Sequence, residues 1–250
     1  MKRFYFVMFF FFVLLCGNIW GQTSSSTSSG EAVAAPTSSN TSVATTVLEI
    51  EPEATQTLAS ATPAAPIEEL KVGTTLENLK AALNGESNAK MRYKAFAEKA
   101  DEEKYLQVAR LFRVIARAEE LHALHHAKII EKMGASFSVD IKLPEVKSTR
   151  ENLETALRDE KFEMERMYPA FAQKAEEEKQ EFAMKTFKGA QAGEVQHAKF
   201  YTEALSNLEN MKELKTDYLI CTVCGYITID LGIQKCPVCS SPRSKFESIK

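Results

Sequence analysis

Glu119-Glu120-Leu121-His122 and Glu194-Val195-Gln196-His197 stand 75 positions apart and share one pattern, Glu-x-x-His. Residues three apart lie on one face of a helix. The repetition extends beyond these two units. Tyr93 and Ala95-Phe96-Ala97 return as Tyr168 and Ala170-Phe171-Ala172 at the same offset, and Glu77-Asn78-Leu79 returns as Glu151-Asn152-Leu153 at an offset of 74. Each half is about 60 residues of charged amphipathic sequence, long enough for two antiparallel helices. Asp101-Glu102-Glu103-Lys104 and Glu176-Glu177-Glu178-Lys179 mark the turns. Gly134 is the expected cap of the first half. Ala135–Lys147, with its Ser, Val, Asp140 and Pro144, reads as a connection rather than a helix.

Two hairpins joined by one long connection make an all-α four-helix bundle with a single crossover, as in ferritin-like folds. The offset slips from 74 to 75 between Glu160 and Tyr168, because Glu86 to Tyr93 is seven steps and Glu160 to Tyr168 is eight. A helix absorbs an extra residue as a π-bulge, expected here near Glu160–Glu165.

Two Glu-x-x-His units, with Glu86 and Glu160 at matching depth on the other two helices, form the di-metal carboxylate pattern. Two cations a few ångströms apart repel, so bridging carboxylates must neutralise them, while imidazole leaves room for an oxygen ligand. Glu163, three residues after Glu160, is a seventh candidate. A single Glu-x-x-His in a Glu-rich chain means little; the pair recurs at one fixed offset and its partner Glu residues recur too, and that carries the argument. Tyr93 and Tyr168 sit about two turns from Glu86 and Glu160 and can donate hydrogen bonds to ligand carboxylates, or serve as plain core aromatics. His125 and His126 match no histidine in the second half and read as surface residues.

Cys221-Thr-Val-Cys224 and Cys236-Pro-Val-Cys239 have the spacing C-x2-C-x11-C-x2-C. Two such knuckles make a tetrahedral four-thiolate site. Zinc and iron both suit it, and spacing alone does not choose. Export would raise disulfides as the alternative, but Gly225 and Pro237 beside the pairs look built for metal.

The first 66 residues stand outside this fold. Lys2 and Arg3 precede an apolar run from Phe4 to Cys16, 13 residues long, the length of a signal-peptide core and short for a membrane span. Residues 1–21 therefore read as an export signal or an uncleaved anchor, with lipidation at Cys16 a further reading. Residues 22–66, rich in Ser, Thr, Ala and Pro, cannot bury enough apolar surface to fold and read as a linker. The expected location is periplasmic or exterior, with a possible membrane tether. The bundle is expected over 67–215 and the four-cysteine module over 216–250. With 31 basic and 34 acidic residues in 250, a net charge of −3, the chain lacks the basic excess of a nucleic-acid binder.

Residues 75–250 resemble rubrerythrin. The resemblance rests on Asn84-Gly85-Glu86-Ser87, Ala118-Glu119-Glu120-Leu121-His122, Glu160-x-x-Glu163 before Met167-Tyr168-Pro169, Glu194-x-x-His197, Cys221-x-x-Cys224-Gly225-Tyr226 and Cys236-Pro237-x-Cys239. It implies a non-haem diiron peroxidase that reduces hydrogen peroxide to water with electrons passed through a rubredoxin-like Fe(Cys)4 centre. It implies that Glu119 and Glu194 bridge the irons, that Glu86 is terminal on the first, where Glu163 and His122 exchange with redox state, and that Glu160 and His197 are terminal on the second. Cys221, Cys224, Cys236 and Cys239 would hold the mononuclear iron. Glu163, His122, Tyr93 and Tyr168 are the expected catalytic residues. It also implies a head-to-tail homodimer in which one chain's knuckle serves the other's bundle. Departures are the x11 spacing where the family has x12, Glu103-Lys104 where a Gly is usual, Asp159 where the first half has Gly85, and the export signal, which leaves the electron donor unidentified. Two other functions fit the same residues: an iron-binding store with a structural zinc knuckle, and an O2-consuming oxidase.

Overall fold

The computed structural model describes residues 70–249; the expected signal and the linker of residues 22–66 lie outside the described residues. Helix α1 spans Thr75–Glu102, α2 Leu106–Lys132, α3 Thr149–Phe162, α4 Tyr168–Glu177 and α5 Glu181–Ser206. A π turn, Glu163–Met167, joins α3 to α4 into one long helix, so the slipped offset has the form the spacing predicts. Residues 135–147 are non-helical, and Gly134 takes a left-handed φ of +75° after α2. Among the described residues no helix is long and apolar enough to cross a membrane.

Both hairpins begin the same way. Thr74 with Glu77 and Ser148 with Glu151 form reciprocal capping boxes, satisfying donors that a helix start leaves open. Each hairpin then lends its turn to the other. The Glu178 carboxylate accepts from Thr75 N at 2.9 Å, and Glu103 accepts from Thr149 N at 2.9 Å. Those backbone donors hold both carboxyls below the usual range. The turns close through left-handed Lys104 and Lys179, φ 65° and 55°, a conformation that costs a non-glycine residue about 1 kcal/mol.

The core divides in two along every helix. Tyr93, Phe96, Phe112, Leu153 and Tyr201 belong to one buried cluster; Leu79, Ile130, Tyr168, Phe171 and Phe187 belong to the other. Glu86, Glu160 and Glu194 fall between the two in sequence on their helices, and Glu119 lies at the boundary on α2, where Leu121 belongs to one cluster and Ala123 to the other. The carboxylates therefore sit at mid-bundle with apolar packing on both sides.

The C-terminal module is a three-stranded antiparallel sheet ordered β2-β1-β3, with β1 Tyr218–Cys221, β2 Ile227–Thr228 and β3 Phe246–Ile249. It packs along the bundle. Gln107 accepts from Lys215 N and Thr216 N, each at 2.9 Å, and Arg110 pairs with Asp217. Arg117 meets Glu247 at 2.7 Å. Gln196 donates to Ile227 O at 2.6 Å and accepts from Ile227 N at 2.9 Å. Tyr218, Ile220 and Ile227 are buried in the same cluster as Phe112.

Candidate metal centre

The structure gathers six of the seven expected bundle ligands into two overlapping sets: Glu86, Glu119, His122 and Glu194, and Glu119, Glu160, Glu194 and His197. All six are at most 2% exposed. Glu119 and Glu194 belong to both sets, and each splits its two oxygens between the histidines. Glu119 presents Oε2 to His122 Nδ1 and Oε1 to His197 Nδ1, both at 3.1 Å. Glu194 presents Oε1 to His122 Nδ1 at 3.1 Å and Oε2 to His197 Nδ1 at 2.8 Å. This is the orientation two bridging carboxylates need to hold two cations.

Other observations test that fit. Glu86 Oε2, Glu160 Oε2, both oxygens of Glu194 and His197 Nδ1 are buried without a well-formed hydrogen bond, close as some of them lie to one another, although buried polar groups are nearly always paired. Burial and neighbouring carboxylates push the Glu86 and Glu160 carboxyls well above their usual range. Burial opposes charge on Glu194 as well, yet His122 and His197 hold its carboxyl well below the range. Four carboxylates with open oxygens in an apolar interior are compensated by cations, and mixed carboxylate and imidazole donors suit iron.

Both tyrosines donate to ligand carboxylates, across the repeat. Tyr93 on α1 donates to Glu160 Oε1 on α3 at 2.6 Å, and Tyr168 on α4 donates to Glu86 Oε1 on α1. In each carboxylate the braced oxygen is Oε1 and the unpartnered one is Oε2.

One expectation is corrected. His126 is not a surface residue: it is fully buried, with Nε2 3.1 Å from the Tyr168 hydroxyl and 4.0 Å from Glu86 Oε1. His125 is partly buried and lines a cavity of about 120 Å³ with His122, His126 and Cys224. Tyr201 is buried with its hydroxyl unpartnered, its ring 5.7 Å from that of Tyr93. The sequence carried a signal for these two: His126 and Tyr201 are themselves 75 positions apart, so the repeat places them equivalently although the residue type differs.

Glu163 belongs to neither ligand set. It opens the π turn, is partly exposed, and lines an open groove of about 1000 Å³ with Asn88, Arg92 and Arg166. Burial, then Glu86 and Glu194, push its carboxyl upward, as they would for a carboxyl facing the ligand sets.

The four cysteines are free thiols. Sγ of Cys221 lies 3.6 Å from that of Cys239, and Cys224 the same distance from Cys236. That is far beyond a disulfide bond and close to the edge of a tetrahedron with metal–sulfur bonds of about 2.3 Å. Left-handed Gly225 and Ser240, φ 82° and 62°, follow the two pairs. The Ser241 hydroxyl is 3.2 Å from Cys239 Sγ; burial works against the thiolate, but the Ser241 hydroxyl and amide hold Cys239 down to about 6.

The knuckle reaches the bundle at His122. A methyl group on Gly225 would lie 3.2 Å from His122 Nε2, and one on Gly193 of α5 would lie 2.6 Å from His122 Cε1. The imidazole is held between two glycines, with Nδ1 toward the carboxylates and Nε2 toward the knuckle.

A family description named rubrerythrin matches residues 77–205, and one named rubrerythrin, rubredoxin-like domain, matches residues 220–247. The chain is 38% identical over 176 residues to nigerythrin of Nitratidesulfovibrio vulgaris, covering 70% of this chain and 86% of that protein. It is 33% identical over 189 residues to rubrerythrin of Porphyromonas gingivalis, covering 72% and 92%. Among solved structures it is similar to nigerythrin in a mixed-valence state, with a TM-score of 0.68, 35% identity, and coverage of 74% and 90%.

Proposed function

The chain belongs to the rubrerythrin family, and from that premise we propose that it reduces hydrogen peroxide to two waters with electrons delivered through its four-cysteine knuckle. It carries that family's carboxylate and histidine ligands for a diiron centre and a rubredoxin-like knuckle. When bound, two ferrous irons supply the two electrons that break the O–O bond, and two protons complete the waters.

The chain's residues do the rest. Glu119 and Glu194 would be shared by the two ions, Glu86 and His122 would hold one of them, and Glu160 and His197 the other. Tyr93 and Tyr168 fix which oxygen of Glu160 and Glu86 is offered. The apolar clusters on either side exclude water. Gly225 against His122 supports entry of electrons from the knuckle, which favours iron over zinc there.

The observation that carries the reading is the placement of Glu163 outside both ligand sets while His122 lies inside one. A store needs no spare carboxylate beside a filled ligand set. A centre that changes charge does: neutral imidazole suits the ferrous state and carboxylate the ferric. The reading also places the protein outside the cytoplasm, on the strength of residues 1–21 alone.

Stopped-flow mixing of the fully reduced, iron-loaded chain with peroxide tests it. Return of the visible thiolate-to-iron band within about a second, with about three irons per chain, is the expected result. Zinc on the cysteines and no band would favour the iron-binding reading; faster reoxidation by O2 than by peroxide would favour the oxidase.

A further inference from the structure

Glu86 and Glu160 are equivalents in the two halves, but their surroundings differ. Tyr168 lies between Glu86 and His126; its hydroxyl donates to Glu86 Oε1 and sits 3.1 Å from His126 Nε2. A phenol has one hydrogen. With that hydrogen on Glu86, the second contact closes only if His126 Nε2 carries a proton and donates it to the phenol oxygen. This selects the Nε2–H tautomer and leaves Nδ1 as a bare acceptor. Nδ1 is indeed buried without a partner. The other half lacks the donor. Tyr93 donates to Glu160, but Tyr201 stands where His126 would be, and its hydroxyl is unpartnered.

We propose that His126 is a positioning residue that makes the two metal positions unequal, by donating to Tyr168 and so tightening that hydroxyl's hold on Glu86. A hydroxyl that accepts a hydrogen bond is a better donor. A carboxylate bound more strongly through one oxygen has less charge to offer a cation through the other. Glu86 is thereby the weaker of the two terminal carboxylate donors. It belongs to the set that contains His122, the side on which the resemblance places the exchange with Glu163. A cation held less tightly there changes partner at lower cost. The inference rests on the two-metal reading of the bundle and not on peroxide as substrate.

Long-range ¹H–¹⁵N correlation on the metal-free chain reads the His126 tautomer directly. Nε2–H is expected; Nδ1–H overturns the proposal. Anaerobic Co²⁺ titration of the full chain, followed through the d–d bands of the bundle and the thiolate band of the knuckle, reads the two bundle affinities. The native chain is expected to fill the bundle in two resolved steps. His126→Phe, which leaves the Tyr168 hydroxyl without a donor as the Tyr93 hydroxyl is, should narrow the gap about tenfold. His126→Gln, whose amide can still donate to the phenol, should keep it. An unchanged gap in His126→Phe, or His126→Gln behaving like His126→Phe, overturns the proposal. A chain that binds two ions unequally yet consumes no peroxide defeats the peroxidase reading and leaves this one standing.

Discussion

The Tyr93 hydroxyl lies 2.6 Å from Glu160 Oε1 although the two residues sit on helices from different halves of the repeat. The bond braces a carboxylate whose second oxygen faces the metal position. Tyr93→Phe should destabilise the fold by about 1–3 kcal/mol, because a buried acceptor loses its donor. Without its brace the Glu160 carboxylate is also free to turn away from the metal position, and this loss of orientation should weaken binding at Glu160–His197 about 10- to 100-fold. Denaturant titration of the metal-free form and metal titration of the folded form measure the two separately.

Gly193 lies inside α5, where alanine would ordinarily stabilise a helix by about 1 kcal/mol. Its methyl would instead meet His122 Cε1 at 2.6 Å and Nε2 at 2.8 Å. Gly193→Ala is therefore expected to displace His122 and lower affinity at the Glu86 position, leaving Glu160–His197 largely unaffected. A stabilised variant with two normal affinities would show that the ring tolerates the methyl.

If Glu163 replaces His122 in the oxidised state, Glu163→Ala should leave binding of two ferrous ions intact and slow repeated peroxide turnover at least tenfold. Mössbauer spectra of the ferric form should show altered coordination at one iron. Unchanged turnover and spectra would end the exchange idea for this chain.

Head-to-tail pairing, implied by the family resemblance, would bring a second chain's knuckle to each bundle. Within the described chain, Gly225 already stands against His122. We expect service within one chain. A Cys224→Ser chain refolded together with a Glu119→Gln chain should then show no return of the thiolate–iron band after peroxide. Recovery of the band in the mixture would place the transfer between chains.

The turn carboxylates set one acid limit. Glu103 and Glu178 have depressed carboxyls because they accept from Thr149 and Thr75 backbone N–H groups. A carboxyl depressed on folding contributes stability above its unfolded value near 4.5, lost as pH falls through the lower folded value. Glu103→Ala and Glu178→Ala should each be less stable than the native chain at pH 7, with the deficit shrinking below pH 4.5. Metal-free thermal melts across that range test the sign.

Much of this is legible in the sequence. Repetition at offsets of 74 and 75 located the helices, the connection and six residues that the fold gathers, and the slip at Glu160–Tyr168 announced the π turn, because an added residue must be absorbed inside a helix whose ends are fixed. Partner choice was not legible. Offset arithmetic sets Tyr93 beside Glu86 on its own helix, whereas antiparallel packing turns its hydroxyl to Glu160. His126 was hidden because its equivalent is Tyr201; an imidazole and a phenol fill the same buried place. The grip of Gly193 and Gly225 on His122 depends on approach distances that spacing does not encode.

Glu103 caps Thr149 and Glu178 caps Thr75, so each hairpin is finished by a residue of the other. The only covalent tie between the hairpins is the non-helical segment between α2 and α3. Two copies of the chain could therefore trade hairpins through that segment, and every cap, tyrosine brace and bridging carboxylate would find the same partner on a neighbouring polypeptide. The bundle is closed by complementarity between halves rather than by chain continuity, which makes hairpin exchange an assembly route that sacrifices none of these bonds.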